Sequence, residues 1–292
     1  MIDGLKKIDL HMHTTVSDGT DTPEEIFRKI KSAGISVFSI TDHDAVKAGN
    51  IIRNCLSEGD PFFIQGAEFS CRDEKGKYHI LGYGFDPEHT EIQNLINRGH
   101  SLRMKKVAQR LEFLKTDFGI DFPPEEITRL LALDNPGKPH IANLMVKYGY
   151  AETLSAAIKD YIDRKKFKSE YIEPEQAIKS ITAGGGVAVL AHPFYGSGDE
   201  LILGIDFEQR IKRLIELGIR GIEAFYSGFS TKLCRDALAI ADKYGLYVTA
   251  GSDYHGTNKL VRLGETGFDN TQENRKYLKQ FLKIFNYEID LM

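Results

Sequence analysis

The feature that most constrains the fold is a recurring pattern in which a short apolar run, typical of a buried β-strand, ends in a histidine or an acidic residue. The first unit, residues 8–13, alternates apolar and polar side chains, and the polar ones include His11 and His13. Because alternate residues of a strand face the same way, the two imidazoles are expected to project together and to bind one ion.

Strand-like and helix-like segments alternate along most of the chain. Further strands are predicted at 36–41, 62–70, 187–191, 221–225 and 247–253. Helices are predicted between them, at 21–34, 45–58, from 174 onward, 206–217 and 231–244. This alternation favours an α/β fold built on a parallel barrel or sheet.

One turn breaks the alternation. The segment around Asp73–Gly76 is too short for a crossover, so residues 78–85 are predicted to pair antiparallel with the third strand. If Asp73 opposes Gly76, then Ser70 opposes His79, and Glu68 lies on the same face, diagonal to His79. The hairpin is therefore expected to bring a carboxylate and an imidazole to one ion.

Residues 88–168 have a different pattern, with helical segments and no good strand. The helices are predicted at 91–114, 124–133, 138–148 and 154–161. We interpret this region as a helical subdomain inserted over one mouth of a core domain formed by residues 1–87 and 169–292.

Nine metal-ligand side chains are expected to converge where strands end, because the carboxyl ends of parallel strands meet on one face. They are His11, His13, Asp18, His43, Glu68, His79, His192, Asp253 and His255. Nitrogen and oxygen ligands in this number, without cysteine, exceed the needs of one ion and suit two or three borderline ions such as Mn, Fe or Zn. Such clusters are suited to phosphoester hydrolysis.

Charge and composition exclude several classes of partner. The net charge is −4 and no polybasic segment is present, which disfavours long duplex nucleic acid and anionic membranes. The sequence shows neither a secretory leader nor a bilayer-length apolar run, so a cytoplasmic location is expected. The three cysteines stand singly, which disfavours both disulfides and a thiolate zinc site.

These motifs, taken in order, resemble the PHP family, named for polymerase and histidinol phosphatase. The matching motifs are His11-Met12-His13-Thr14, Ser17-Asp18-Gly19, Thr41-Asp42-His43, Gly66-Ala67-Glu68, Tyr78-His79, Ala191-His192-Pro193 and Gly251-Ser252-Asp253-Tyr254-His255. The resemblance implies a distorted seven-stranded β/α barrel with a trinuclear metal centre. It assigns His11, His13, Glu68 and Asp253 to the first ion, Glu68, His79 and His192 to the second, and Asp18, His43 and His255 to the third.

Within that family, the helical insertion and the Gly137–His140 stretch resemble stand-alone phosphoesterases that act on AMP-like nucleotides and nucleoside 3',5'-bisphosphates. The resemblance implies hydrolysis of a phosphomonoester by a metal-bridging hydroxide, with Asp18 and His255 near the leaving oxygen. It also implies that Lys138 and His140 face the phosphate. The alternative for Lys138 is a solvated loop cation, and the alternative for His140 is a residue at the start of a helix. Phe229 departs from the pattern, since many relatives have histidine there.

Other functions stay open on sequence alone. Histidinol phosphate is a second candidate substrate, and short RNA trimmed from its 5' end is a third. An amidohydrolase is the rival from another reaction class, because its barrel also opens with two histidines on the first strand. The placement of Glu68 on the third strand and of Asp253 beside His255 weighs against that class.

Overall fold

The computed structural model describes residues 6–167, 170–195 and 201–289. Its strands are β1 Ile8–Asp9, β2 Val37–Phe38, β3 Phe62–Phe63, β4 Gly66–Asp73, β5 Gly76–Tyr83, β6 Val187–Leu190, β7 Gly221–Tyr226 and β8 Tyr247–Gly251. Its helices are α1 Pro23–Ser32, α2 Lys47–Cys55, α3 Thr90–Phe118, α4 Pro124–Leu131, α5 Lys138–Lys147, α6 Leu154–Ala156, α7 Pro174–Ala183, α8 Gly204–Glu216, α9 Thr231–Tyr244 and α10 Gln272–Lys283. None of the helices in these described ranges is long and apolar enough to cross a bilayer.

The strands form two sheets with helices packed around them. The first sheet has the order β1-β2-β3 and is parallel. The second has the order β4-β5-β6-β7-β8; β5 is antiparallel to both of its neighbours, and the remaining pairs are parallel. The predicted mixed α/β fold is therefore confirmed.

Backbone hydrogen bonds join the two sheets at both of their borders. Leu10 N donates to Ala250 O at 2.9 Å, which links β1 to β8. At the other border, Asp44 N, beyond the end of β2, donates to Glu68 O of β4 at 2.9 Å. Whether the two sheets count as one seven-stranded barrel stays a prediction at this point.

The predicted hairpin is present with its expected register. Asp73 pairs with Gly76 and Ser70 pairs with His79 in the antiparallel ladder of β4 and β5. His79 Nδ1 lies 2.9 Å from Glu68 Oε1, so the diagonal contact across the ladder is also formed. A turn that is too short for a crossover is thus sufficient to predict this part of the site.

Several element boundaries follow from local chemistry. Helix α1 begins with a capping box, in which the Thr22 hydroxyl accepts from Glu25 N at 3.2 Å and the Glu25 carboxylate accepts from Thr22 N at 2.9 Å. The ladder between β1 and β2 is shorter than the predicted strands. Beyond the ladder, Thr41 N donates to Met12 O at 2.9 Å, and side chains also take part, since Met12 N donates to Thr41 Oγ1 at 3.2 Å and Thr14 N donates to Asp42 Oδ1 at 2.7 Å.

The helical region has a hydrophobic cluster of its own. Val107, Leu114, Ile141, Met145 and Ile162 belong to it, and all are fully or almost fully buried. The N-terminal half of α3 packs instead against the core beneath the sheets, so this helix connects the two clusters. The predicted domain limits stay a prediction, and the proposed boundary at 168/169 lies outside the described residues. Helix α10 is an element that the sequence patterns above do not predict.

Removing volume from the helical cluster should destabilise the protein. We expect Ile141→Ala, at a fully buried position, to lower the free energy of unfolding by about 2–5 kcal/mol, because it removes buried methyl groups and leaves a cavity. Val146→Ala in the same helix is the matched control, since Val146 is exposed. Chemical denaturation of both variants tests this, and equal losses of unfolding free energy in the two variants would contradict the presence of a packed hydrophobic cluster here.

Candidate metal centre

Glu68 is the centre of the site. It lies in β4, it is buried, and both of its carboxylate oxygens face imidazole nitrogens. Oε1 lies 2.9 Å from His79 Nδ1, 3.3 Å from His11 Nε2 and 3.4 Å from His192 Nε2, and Oε2 lies 3.0 Å from His43 Nδ1 and 3.3 Å from His13 Nε2. Five histidines from four segments of the chain thus surround one carboxylate.

Two more carboxylates complete the cluster. Asp253 Oδ1 lies 3.4 Å from His13 Nε2 and 3.6 Å from His11 Nε2. Asp18 Oδ1 lies 3.3 Å from His255 Nε2, and Asp18 Oδ2 lies 3.8 Å from His43 Nε2. All nine predicted ligand side chains are therefore brought together, and their assignment to individual ions stays a prediction.

The backbone at the site adopts conformations that are uncommon for residues with a side chain. His192 has φ 27°, Asp253 has φ 57° and Asp44, directly after His43, has φ 50°. These are three of the four non-glycine residues with positive φ in the described part of the chain. Such backbone strain concentrates at functional sites, where the surrounding structure enforces it.

The charges of the cluster depend strongly on one another. Burial opposes a charge on His11, but the carboxylates of Glu223, Glu68 and Asp253 outweigh it and hold the pKa of His11 well above its ordinary value. Burial likewise opposes ionisation of Glu68, yet the imidazoles of His79, His11 and His43 outweigh it and hold the pKa of Glu68 well below its ordinary value. The buried carboxylates therefore require positive charge beside them.

The hydrogen-bonding potential of the cluster indicates which kind of positive charge fits. In the described part of the chain, buried atoms of the cluster without a hydrogen-bond partner are His11 Nε2, His13 Nε2, Asp18 Oδ1, His43 Nδ1, Glu68 Oε1 and Glu68 Oε2. Three groups of ligand atoms are close enough to share an ion: His13, Asp18, His43 and His255; His11, His13 and Asp253; and His43, Glu68 and His79. Buried polar atoms that remain unpaired are costly, so imidazole and carboxylate donors in this arrangement fit divalent cations.

Glu223 supports two of the ligands and was not predicted from the sequence. Its Oε1 accepts a hydrogen bond from His11 Nδ1 at 2.9 Å and its Oε2 accepts from His192 N at 2.8 Å. The first contact fixes the tautomer of His11, which leaves Nε2 free as a metal-binding lone pair. A Cβ at Gly251 would collide with both Glu223 Oε1 and His11 Cβ, so glycine is required there. The available signal was an acidic residue within the apolar strand β7.

Tyr226 and Lys259 contact Asp253 and were also not predicted as site residues from the sequence. The Tyr226 hydroxyl donates to Asp253 Oδ2 at 2.9 Å, and the Lys259 ammonium contacts the same oxygen. The other oxygen of Asp253 is left to face the histidines. Neither residue lies in a metal-ligand motif, so the sequence alone gave no reason to select them.

Asp42 braces the loop that carries Asp18. Its carboxylate accepts from Thr14 N at 2.7 Å, from Thr14 Oγ1 at 2.7 Å and from Ser17 Oγ at 2.6 Å. Asp42 is almost fully buried, so these hydrogen bonds offset the cost of burying its charge. The loop that carries two proposed ligands, His13 and Asp18, is thereby held against the end of β2.

The two predicted phosphate-facing residues are used differently. Lys138 lies at the start of α5 and lines a cavity beside the cluster, and its Nζ lies 2.6 Å from Asp163 Oδ1. His140 Nδ1 accepts from Gly137 N at 3.0 Å, which caps the same helix. His140 thus has the helix-start role that was its alternative, and a phosphate contact stays a prediction for both.

Phe229, where many relatives have histidine, packs edge-on against Phe194, at a ring distance of 5.1 Å.

Several known proteins are similar to this chain over most of its length. The PHP domain family matches residues 9–292. The chain is 29% identical over 270 residues to a 5'-3' exoribonuclease of Haemophilus influenzae, with 89% of this chain and 94% of that protein covered. It is 28% identical to a phosphoribosyl 1,2-cyclic phosphate 1,2-diphosphodiesterase of Eggerthella lenta, covering 89% and 97%. It is also 28% identical to a 3',5'-nucleoside bisphosphate phosphatase of Chromobacterium violaceum, covering 86% and 88%.

Two solved structures are similar over most of their length. One, from Bifidobacterium adolescentis, is named a metal-dependent phosphoesterase; it has a TM-score of 0.83 and 25% identity, and 99% of each chain is covered. The other, from Chromobacterium violaceum, is named an amidohydrolase and contains sulfate without metal; it has a TM-score of 0.76 and 26% identity, with 86% and 88% covered.

Loss of the Glu223 carboxylate should weaken metal binding. We expect Glu223→Gln to lower affinity for Mn or Zn by about 10- to 100-fold, because a changed partner no longer fixes the His11 ring and the His192 backbone. Glu216→Gln in α8 is the control, since Glu216 is exposed. Isothermal titration of both variants measures the effect, and unchanged affinity in Glu223→Gln would contradict the supporting role.

Metal uptake should release protons. The pKa values of His11 and His13 are raised in the metal-free cluster, which favours their protonated forms, and a metal that binds these imidazoles must displace the protons. Metal affinity should therefore rise with pH, while the stability that these protonated histidines give the metal-free protein is lost as pH rises through their raised pKa values. Titration in buffers of different ionisation enthalpy counts the protons, and a buffer-independent heat would contradict this charge state.

Proposed function

This chain belongs to the PHP domain family, and from that membership we propose that it is a metal-dependent phosphoesterase acting on a small phosphorylated metabolite. The observation that carries the proposal is the Glu68 cluster, in which carboxylates and imidazoles from distant segments meet and six of their buried nitrogen and oxygen atoms have no hydrogen-bond partner among the described residues. This donor set suits metal ions that act on phosphate oxygens rather than a covalent nucleophile.

We propose the ligand assignment that the family resemblance implies. His11, His13, Glu68 and Asp253 would hold one ion; Glu68, His79 and His192 a second; and Asp18, His43 and His255 a third. When bound, two or three Mn, Fe or Zn ions supply Lewis-acid activation of the phosphoryl group and a low pKa for water. The distances from Glu68 to five imidazoles support its shared position.

Asp18 and His255 are the proposed catalytic residues. His255 Nδ1 lies 2.8 Å from the carbonyl oxygen of Asp253, so this nitrogen is expected to carry the proton and donate it, and Nε2 then faces Asp18 Oδ1. Both side chains are buried. Burial alone would raise the pKa of Asp18, but His43 and His255 outweigh it and keep the carboxyl ionised. This pair can therefore hold a water molecule or a leaving oxygen in one orientation.

The proposed substrate is a phosphomonoester of a nucleotide, of the AMP or nucleoside 3',5'-bisphosphate type. A cavity of about 490 Å³ opens onto the cluster, and its walls include His192, Tyr195, Tyr226 and Lys259. That volume is in the range of small-molecule sites. The bisphosphatase of Chromobacterium violaceum supports this choice.

Two alternatives within phosphoester chemistry are retained. The exoribonuclease of Haemophilus influenzae supports a short 5'-phosphorylated RNA as substrate. Histidinol phosphate is the second alternative, and it would need a site for only one phosphate and for the small cationic group that carries it. Rescue of histidine auxotrophy would test this substrate. An amidohydrolase activity, the rival from another class, predicts turnover of amides or cyclic imides and none of phosphate esters.

We further infer that the two sheets form one distorted seven-stranded barrel, in which β3 and β4 count as a single strand. The backbone hydrogen bonds at both borders support this. We also infer that residues 88–168 are an insertion into a core domain of residues 1–87 and 169–292, which the separate hydrophobic cluster of that region supports.

The activity should depend on Glu68 and on added metal. We expect either phosphate release from at least one of AMP, adenosine 3',5'-bisphosphate and histidinol phosphate, or mononucleotide release from a short 5'-phosphorylated RNA, stimulated by Mn. Glu68→Ala and His13→Ala should lower it by at least about 1,000-fold, because each change removes a ligand from the cluster. Glu88→Ala, at an exposed position, should keep full activity.

The same panel contains the outcomes that would oppose the proposal. Undiminished phosphate release in Glu68→Ala would remove the metal mechanism. Hydrolysis of amides together with inactivity on every phosphate ester would favour the amidohydrolase instead.

A further inference from the structure

A second cavity, of about 380 Å³, lies between the hairpin of β4 and β5 and the helical region. One face of helix α3 forms a wall, through Gly99, Leu102, Arg103, Lys106 and Arg110. Gly99, Arg103, Lys106 and Arg110 are spaced by three or four residues and Leu102 adjoins Arg103, which places them on one side of a helix. Helix α3 can pack this closely against Asp44 because residue 99 is glycine, since a Cβ there would lie only 2.7 Å from Asp44 Cβ.

Five basic side chains line this cavity, which we call the basic cavity: Lys77, Arg103, Lys106, Arg110 and Lys138. Two of them are paired with carboxylates, since Arg103 lies 2.8 Å from Asp44 and Lys138 lies 2.6 Å from Asp163. In the described ranges, the other three have no carboxylate within 4.0 Å. The cavity therefore contains more positive charge than its own acidic residues balance.

Lys106 shows the effect of this excess charge. Burial and the neighbouring Arg103, Arg110 and Lys77 lower the pKa of Lys106 to about 7, against the opposing attraction of Asp44. Its ammonium lies 3.3 Å from the centre of the Tyr171 ring, so the cation rests on an aromatic face. The same contact covers that face of Tyr171, which leaves the cavity suited to an anion rather than to a stacked base.

The basic cavity is continuous with the metal centre. His43, Lys77 and His79 line both this cavity and the one that opens onto Glu68. Asp18, a proposed catalytic residue, lines the basic cavity as well. A ligand bound at the cluster can therefore extend into it. The N-terminus of α5 lies at the rim through Gly137 and adds a partial positive charge.

We propose that the basic cavity binds a second phosphoryl group of the substrate while the first lies at the metal centre, and that Lys106 and Arg110 select for it. This inference rests on the proposed function and deepens it, because it favours substrates with two phosphoryl groups over AMP or histidinol phosphate. Arginine and lysine bind phosphate through charge-assisted hydrogen bonds, which are strongest where water is partly excluded.

The test compares adenosine 3',5'-bisphosphate with AMP, which differ by one phosphate. In the wild type, kcat/KM should be at least about 10-fold higher for the bisphosphate, and Lys106→Met should lower this ratio by about 10-fold, toward one. Arg110→Gln should act in the same direction. Lys105→Met is the matched control, because Lys105 precedes Lys106 in the same helix but is exposed. A ratio near one in the wild type would overturn the proposal, as would equal ratios in the wild type and Lys106→Met.

Equilibrium binding separates this inference from the proposed function. Calorimetric titration of the full chain, both as purified and after chelation, should show tighter binding of the bisphosphate than of AMP, with the difference reduced in Lys106→Met but not in Lys105→Met. That binding pattern without phosphate release would contradict only the proposed function. Phosphate release with no binding preference would contradict only the second phosphoryl site.

A dinucleotide with a 5'-phosphate identifies the source of the second group. Its internucleotide phosphate is a diester with one charge, whereas the bisphosphate has a terminal phosphate. Tighter, Lys106-dependent binding of the dinucleotide assigns the cavity to a diester, and the reverse order assigns it to a terminal phosphate. Loss of Lys106 dependence for both ligands would contradict the site.

Discussion

Glu68 is a buried carboxylate that contacts five imidazoles, and the site depends on this one interaction. A charge in such a position is costly unless cations or hydrogen bonds satisfy it. In the metal-free cluster, the raised pKa values of His11 and His13 favour their positively charged forms, and divalent ions would supply the positive charge in the loaded protein. Because the histidines come from separate strands and loops, their attraction to the single Glu68 carboxylate holds those segments together.

The fold holds these groups at the site by means of a second layer of buried polar residues. Glu223 orients His11, Asp42 braces the loop before Asp18, and Tyr226 occupies one oxygen of Asp253. Left-handed backbone at His192 and Asp253 turns the chain sharply where these strands end. Rigid support of this kind is what a metal site requires, since small displacements of the ligands weaken coordination.

Much of this arrangement could be predicted from the sequence. The position of His79 opposite Ser70 followed from turn length alone, and the convergence of ligands followed from strand ends. The residues that were missed have physical reasons. Glu223 lies within a strand, not at its end, and the cations of α3 share a face whose direction depends on how the helix packs. Lys259 follows the last motif, in a loop that has no periodic pattern.

The proposed ligands extend from His11 to His255, almost the whole length of the chain. During synthesis, a nascent chain of 191 residues already contains six of the nine: His11, His13, Asp18, His43, Glu68 and His79. It lacks His192, Asp253 and His255, so no growing chain has the full set until the last of these has left the ribosome. Complete loading with metal therefore has to wait until His255 has emerged.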